Sequence, residues 1–185
     1  GQNTKDDSSP SFKIKGDVME TYFPDRSLQG RGGFITETKD GKAVNYKNGE
    51  WTLFQQGSDG KIITAIGNFS KNTRDGLWTM KYPSGKVKSE ITYKEGKQNG
   101  VSKNYAENGN LISEIPYNDD KIIGKKITYS KDGIKMKEEQ YSDNKKNGKS
   151  TTYFKDGKVQ IAANYDNDKL NGNWIEYYPD GKKKQ

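Results

Sequence analysis

The stretch that decides the fold begins Gly76-Leu77-Trp78-Thr79-Met80-Lys81-Tyr82-Pro83-Ser84-Gly85. It continues Lys86-Val87-Lys88-Ser89-Glu90-Ile91-Thr92-Tyr93 and then Lys94-Glu95-Gly96-Lys97-Gln98-Asn99-Gly100. Trp78, Met80 and Tyr82 alternate with polar residues, which is the period of a half-buried strand. Past the Pro83-Ser84-Gly85 turn, Val87, Ser89, Ile91 and Tyr93 alternate again. Two alternating runs around a turn read as a β-hairpin. At the same turn, later stretches carry Asn108-Gly109, Asp132-Gly133, Asp156-Gly157 and Asp180-Gly181, dipeptides that tolerate positive φ and are expected to close tight hairpins. No window of ten residues carries a convincing helical stripe, and the dense glycine and asparagine would end a helix.

The unit recurs. Tyr93, Tyr105, Tyr117, Tyr129, Tyr141, Tyr153, Tyr165 and Tyr177 fall 12 residues apart. Gly76, Gly100, Gly124, Gly148 and Gly172 form one glycine series of spacing 24, and Gly85, Gly109, Gly133, Gly157 and Gly181 a second. Such a period marks a repeat architecture. The fold expected is all-β: an elongated, single-layer antiparallel meander of β-hairpin repeats. With strands ~4.8 Å apart, equivalent residues of neighbouring units stand roughly 10 Å apart along the sheet. The tyrosines should then form two rows near opposite margins, and spacing alone leaves open whether the rows share a face.

Toward the N-terminus the beat loosens. Gly49-Glu50-Trp51 resembles Gly76-Leu77-Trp78, and Tyr22-Phe23-Pro24-Asp25 resembles Tyr177-Tyr178-Pro179-Asp180. The earlier hairpin would return through Gly30-Arg31-Gly32-Gly33, read as a flexible turn. The organisation expected is a polar, disordered leader over 1–11, degenerate hairpins over 12–48 and a regular repeat sheet over 49–185. One unit breaks the pattern: where others carry Val87/Ile91, Leu111/Ile115 and Val159/Ala163, it has Lys135 and Glu139, with Met136 on the other parity. Weaker packing, a bulge or an exposed polar face, and a gentle hinge are expected there.

Composition bounds the function. Of 185 residues, 29% are hydrophobic and 11% aromatic, and mean hydropathy is −1.17, so the core is thin. No stretch approaches the ~20 apolar residues of a membrane-spanning helix. Histidine and cysteine are absent. Their absence removes the commonest general base, the usual triad partner, thiolate ligands and disulfides, and no enzyme is expected. The net charge of +7 comes almost wholly from lysine, with Arg26, Arg31 and Arg74 the only arginines. Guanine and phosphate readers favour arginine forks, so sequence-specific nucleic-acid binding is not expected. Lysines also keep sheet edges from stray pairing, which favours a monomer.

The run Gly76 to Val87, with its relative Gly172-Asn173-Trp174-Ile175-Glu176-Tyr177-Tyr178-Pro179-Asp180-Gly181-Lys182, resembles the MORN-repeat variant found in bacterial proteins. The likeness is clear over about 49–185 and faint over 16–48. It implies an elongated twisted sheet of hairpins. Some bacterial members are described as antitoxins of toxin–antitoxin systems, and eukaryotic MORN proteins are linked to membranes and scaffolding. The resemblance brings no motif of functional residues.

Several residues invite a chemical reading. Glu90, Glu114 and Glu138 recur at spacing 24, but repeat-equivalent carboxyls at about 10 Å suit neither glycosidase geometry, and they are expected to be cross-strand partners of lysines. Asp166-Asn167-Asp168-Lys169-Leu170-Asn171-Gly172 has the look of a calcium loop but lacks the remaining EF-hand ligands, so Asx-rich turn chemistry is expected and no metal. Gly30 to Gly33 has no following helix with Lys-Ser/Thr and is no phosphate cradle. Trp51, Trp78 and Trp174 with the lysine-flanked tyrosines either form a binding surface or supply the thin core. Catalytic and cofactor residues are not expected, and the partner-binding residues stay unassigned.

Two functions remain. The first is a noncatalytic sheet module that binds a protein partner, in one version an antitoxin covering a toxin's active surface in a tight stoichiometric complex. The second is a cell-envelope protein that holds anionic glycan or lipid weakly and in a salt-dependent way. The polar start Gly1 to Pro10 matches the tether after the lipidated cysteine of a bacterial lipoprotein, so an envelope or secreted location is expected ahead of a cytoplasmic one.

Overall fold

The structure is a computed structural model that describes residues 11–184. The leader expected over 1–11 lies outside the described residues, apart from Ser11. No described residue is helical. The strands are β1 (Phe12–Lys15), β2 (Val18–Tyr22), β3 (Leu28–Lys39), β4 (Lys42–Gly57), β5 (Gly60–Ser70), β6 (Thr73–Lys81), β7 (Val87–Lys94), β8 (Lys97–Gln98) and β9 (Gly100–Tyr105). They continue as β10 (Leu111–Asn118), β11 (Lys121–Ile122), β12 (Gly124–Tyr129), β13 (Lys135–Ser142), β14 (Lys145–Tyr153), β15 (Val159–Asp166), β16 (Lys169–Leu170) and β17 (Ile175–Glu176). Each pairs antiparallel with its neighbours in the chain, so the whole is one open meander. The short strands β8, β11 and β16 are the first residues of β9, β12 and β17, set apart by a glycine bulge.

Both glycine series have a backbone reason. Gly76, Gly100, Gly124, Gly148 and Gly172 take φ between 69° and 112° at the bulge that opens each unit. In the second series only the glycine of each Asx-Gly pair has positive φ, from 82° at Gly133 to 92° at Gly109. There Gly85 N–H donates to Tyr82 O at 2.8 Å and Tyr82 N–H to Lys86 O at 2.9 Å. That is a type I turn closed by a left-handed glycine, a three-residue loop with a G1 bulge. The tight two-residue turns lie at the opposite margin, where both central residues are left-handed: Asp119-Asp120 (47°, 66°), Asp143-Asn144 (53°, 69°) and Asn167-Asp168 (47°, 68°). The Asx-Gly dipeptides thus make turns, but not the tightest ones. Phe23 to Ser27 repeats the three-residue loop with Arg26 in the glycine slot at φ 70°.

A further bulge lies in each return strand. Pairing skips one residue between Val87 and Ser89, Leu111 and Ser113, Lys135 and Lys137, and Val159 and Ile161. Bulges bend the strand and increase its twist.

Gly30 to Gly33 is not a turn. It lies inside β3, with Gly30 opposite both Thr21 and Leu53 and Gly32 opposite both Met19 and Trp51. The indole of Trp51 covers these glycines, and a Cβ on Gly32 would come 2.4 Å from the ring. Trp78 covers Gly67 in the same way, at 2.3 Å. Glycine weakens a strand, but here its missing side chain seats an aromatic ring. Trp51 and Trp78 are both 0% exposed, although the sheet has a single layer.

The irregular third unit exposes one of its two polar residues, Lys135, and buries the other, Glu139. Glu139 is 6% exposed, within 3.2 Å of Lys137 and 2.9 Å of Lys146. Burial pushes its carboxyl up, but the Lys146 and Lys137 ammonium groups outweigh that and hold it below the ordinary value. Met136 is exposed too, and it occupies the bulge slot that every return strand has.

Candidate interaction face

Alternation gives the sheet two chemically different faces. On the first, Phe69 stacks edge-on against Trp51 at 5.8 Å and Trp78 at 4.9 Å. Lys47 caps Trp51 at 4.9 Å and Phe69 at 5.0 Å. Arg74 lies over Trp78 at 4.5 Å and Tyr93 at 5.4 Å. Burial, and then the nearby Arg74 charge, hold the Lys47 ammonium below its ordinary pKa. The indole N–H of Trp51 donates to Gly33 O at 2.7 Å, and that of Trp78 to Asn68 O at 2.9 Å. Both indoles are therefore core. Trp174 differs, at 49% exposed. Tyr117, Tyr141 and Tyr165 continue the Tyr93 row on this tryptophan face, with Lys146 over Tyr165 at 5.2 Å.

The other tyrosine row is on the opposite face. Tyr105, Tyr129 and Tyr153 donate their hydroxyls to Glu90, Glu114 and Glu138 at 2.8, 2.8 and 3.1 Å. Burial first, and then the glutamate, push Tyr105 and Tyr129 up to about 12. The recurrent glutamates are thus tyrosine acceptors. Glu138 alone fits the expected lysine partnership, with Lys135 at 2.9 Å and Lys125 at 3.6 Å. At the strand spacing of the sheet Glu90, Glu114 and Glu138 stand about 10 Å apart, wider than either glycosidase pair.

Across the middle of this glutamate face runs one row of repeat-equivalent residues: Leu77, Val101, Lys125 and Lys149. Their cross-strand neighbours are Thr92, Pro116, Gln140 and Asn164. Leu77 is 54% and Val101 50% exposed, and both lysines stand in solvent. Lys149 has no carboxylate within 4 Å among the described residues. Lys125, Glu138, Gln140, Lys149 and Thr151 are among the residues around an open cleft of about 300 Å³. Over these four units the row passes from apolar to basic, and its equivalent one unit earlier is the exposed acidic Glu50.

At the tight-turn margin, asparagine and aspartate lace each unit to the preceding one. Asn144 N–H donates to Ile122 O at 3.1 Å, while Asn144 Oδ1 accepts the Ile122 N–H at 2.7 Å. Asp120 clamps Gln98 and Asp168 clamps Lys146 in the same way, and Asn72 clamps Lys47. The apparent calcium loop is such a clamp, because the Asp168 carboxylate accepts the Lys146 N–H at 2.8 Å. Among the described residues no group of three or more acidic side chains could hold a metal. These clamps were missed from the sequence, although Asp119-Asp120, Asp143-Asn144 and Asn167-Asp168 recur at spacing 24.

The pattern of a known family, the MORN repeat variant, matches residues 74–95, 98–119, 146–167 and 170–185. Four stretches of the chain are therefore similar to this repeat. The intervening unit falls outside the match, and it is the one with Lys135 and Glu139, yet its hairpin has the same pairing and bulges. No curated protein matches the chain. Among solved structures, a porin-like protein from Bacteroides uniformis is similar over 88% of this chain and 92% of that one. It is 11% identical with a TM-score of 0.20, too low for any argument to pass between them.

Proposed function

We propose that this MORN-variant sheet is a noncatalytic platform that binds a protein partner through its glutamate face. One observation carries the reading: the exposed row from Leu77 and Val101 to Lys125 and Lys149, beside glutamates whose carboxylates are already engaged by tyrosine. A contiguous apolar and basic surface, with a backbone held by two bulges and a clamp per unit, suits a partner with an acidic and apolar surface. An antitoxin covering a toxin would be one case. An envelope protein gripping anionic glycan would draw on the lysines alone and leave Leu77 and Val101 without a role.

The test is capture from the native organism by the wild-type chain and by Lys125→Glu/Lys149→Glu, with a high-salt wash. One acidic protein held in near-equal amount by the wild type and lost with the variant supports the reading. Capture unchanged by the double reversal, or only glycan and lipid released by salt, overturns it.

A further inference from the structure

The row on the glutamate face has a step as well as a composition. Leu77, Val101, Lys125 and Lys149 occupy the same position in four consecutive units. Two strands separate each from the next, so the step is about 9.5 Å at a strand spacing of 4.7–4.9 Å. A polyproline II segment rises 3.1 Å per residue with three residues per turn, so every third side chain returns to the same side after about 9.3 Å. The match needs no stretching of either partner. An α-helix repeats a face after seven residues, about 10.5 Å, and falls out of step over successive units. A straight helix also cannot follow a twisting sheet, whereas an extended segment can turn with it. The row lies in mid-strand, close to the twist axis, where twist lengthens the path least.

We infer that the face binds an extended, disordered segment of its partner, with side chains at every third position read in the order apolar, apolar, acidic, acidic. The inference rests on the partner-binding reading and specifies its ligand. The apolar positions of the segment lie against Leu77 and Val101, with Pro116 between Val101 and Lys125. Its carboxylates reach Lys125 and Lys149 at the open cleft lined by Gln140 and Thr151. The other charges on this face do not compete strongly. Glu90 and Glu114 accept tyrosine hydroxyls, and Glu138 holds Lys135 and the Tyr153 hydroxyl, with Lys125 farther away at 3.6 Å. Lys103, opposite both Glu90 and Glu114, adds positive charge one side chain further along the strand. Asp75 and the exposed Glu50 stand near the Leu77 end, where the segment has no carboxylate.

The experiment titrates labelled synthetic peptides into the full chain and follows anisotropy. One peptide carries Leu, Leu, Glu and Glu at every third position among Pro and Ser. A second has the same composition with Leu and Glu alternating at those positions, and a third places the four residues at every second position. The reversed order of the first is included because the chain direction is open. The first peptide, in one direction, should bind about five-fold or more tighter than the second and third, since each mismatched pair is worth a small exposed contact. Lys125→Glu/Lys149→Glu should abolish that preference, while Lys42→Glu/Lys155→Glu, equal in charge change but off the row, should keep it. Equal binding of all peptides, or no binding, overturns the inference. If peptides are indifferent while the Lys125/Lys149 reversal still abolishes partner capture, only the segment is wrong; if capture survives that reversal, the platform reading itself falls.

Discussion

The sheet is held together differently in its two halves. From β3 to β7, bulky rings fill a core: Trp51 and Trp78 lie on Gly32 and Gly67, with Phe69 wedged between them and Lys47 and Arg74 as lids. From β9 to β15 the buried positions are Ser102, Glu139, Ser150 and Ala163, none of them large and apolar. There the order comes from tyrosine–glutamate bonds on one face, tyrosines on the other and Asx clamps at the margin. The first half depends on a few large contacts and the second on many small repeated ones. A repeat sheet adds stability unit by unit through its neighbours, so a unit can lack a hydrophobic centre if its edges are laced.

The contrast can be broken most strongly at the rings. Trp78→Ala should cost about 3–5 kcal/mol, because it empties a fully buried site over a glycine that cannot refill it. Thermal unfolding followed by circular dichroism measures the loss, and a change under 1 kcal/mol (roughly the size of an exposed-site effect) would deny the ring a core role.

Glu139 comes next. Glu139→Ala should cost on the order of 1–2 kcal/mol, since Lys137 and Lys146 keep partial access to water and can relax outward. Glu139→Ile, which restores the residue type of Ile91 and Ile115, should be less costly than alanine. The folded-state pKa of Glu139 is depressed, so its contribution is present above the ordinary value of 4.5 and is lost as pH falls through the folded value. Acid should therefore narrow the gap between wild type and Glu139→Ala, as denaturant midpoints at descending pH would show.

A single clamp is smaller. Asn144→Gly keeps the left-handed turn accessible and removes only the side-chain bond to Ile122, so about 0.5–1.5 kcal/mol is expected. Chemical denaturation measures it, and Asp120→Gly should lose a similar amount.

The smallest effect is spectroscopic at first. Tyr105 and Tyr129 are raised to about 12, so their neutral form is the one bound in the folded state. Their contribution is complete below pH 10 and is lost as pH rises through about 12. Ultraviolet titration should show a late tyrosinate fraction that shrinks in Tyr105→Phe/Tyr129→Phe, with Tyr153, also raised, remaining in it. A single ordinary transition in the wild type would count against the glutamate bonds.

The hairpins, the 24-residue period and the meander were legible because alternation and spacing record strand and turn directly. What stayed hidden depended on register. Tyr105 meets Glu90 across a turn and past the bulge at Asn99-Gly100, which shifts the β7 pairing from Tyr93↔Gln98 to Glu90↔Lys103, so spacing alone named lysines as the partners. Gly30 to Gly33 read as a turn because glycine usually interrupts strands, and only the position of Trp51 across the ladder explains it. The tight turns were assigned to the wrong margin because Asx-Gly fits two loop lengths, and hydrogen bonding decides between them. On the candidate site, the lysines and tryptophans were visible, but which tryptophans face water and which lysines share a row required the two faces to be told apart.

The account claims that the laced half is as continuously ordered as the ring-filled half. Residue-resolved amide hydrogen exchange tests this most directly, comparing Lys135–Ser142 with Val87–Lys94 and Leu111–Asn118. The account predicts slow exchange through all three strands, with no break at Glu139. Exchange at unfolded-chain rates confined to Lys135–Ser142 would contradict it and put a hinge where the structure places a buried ion pair.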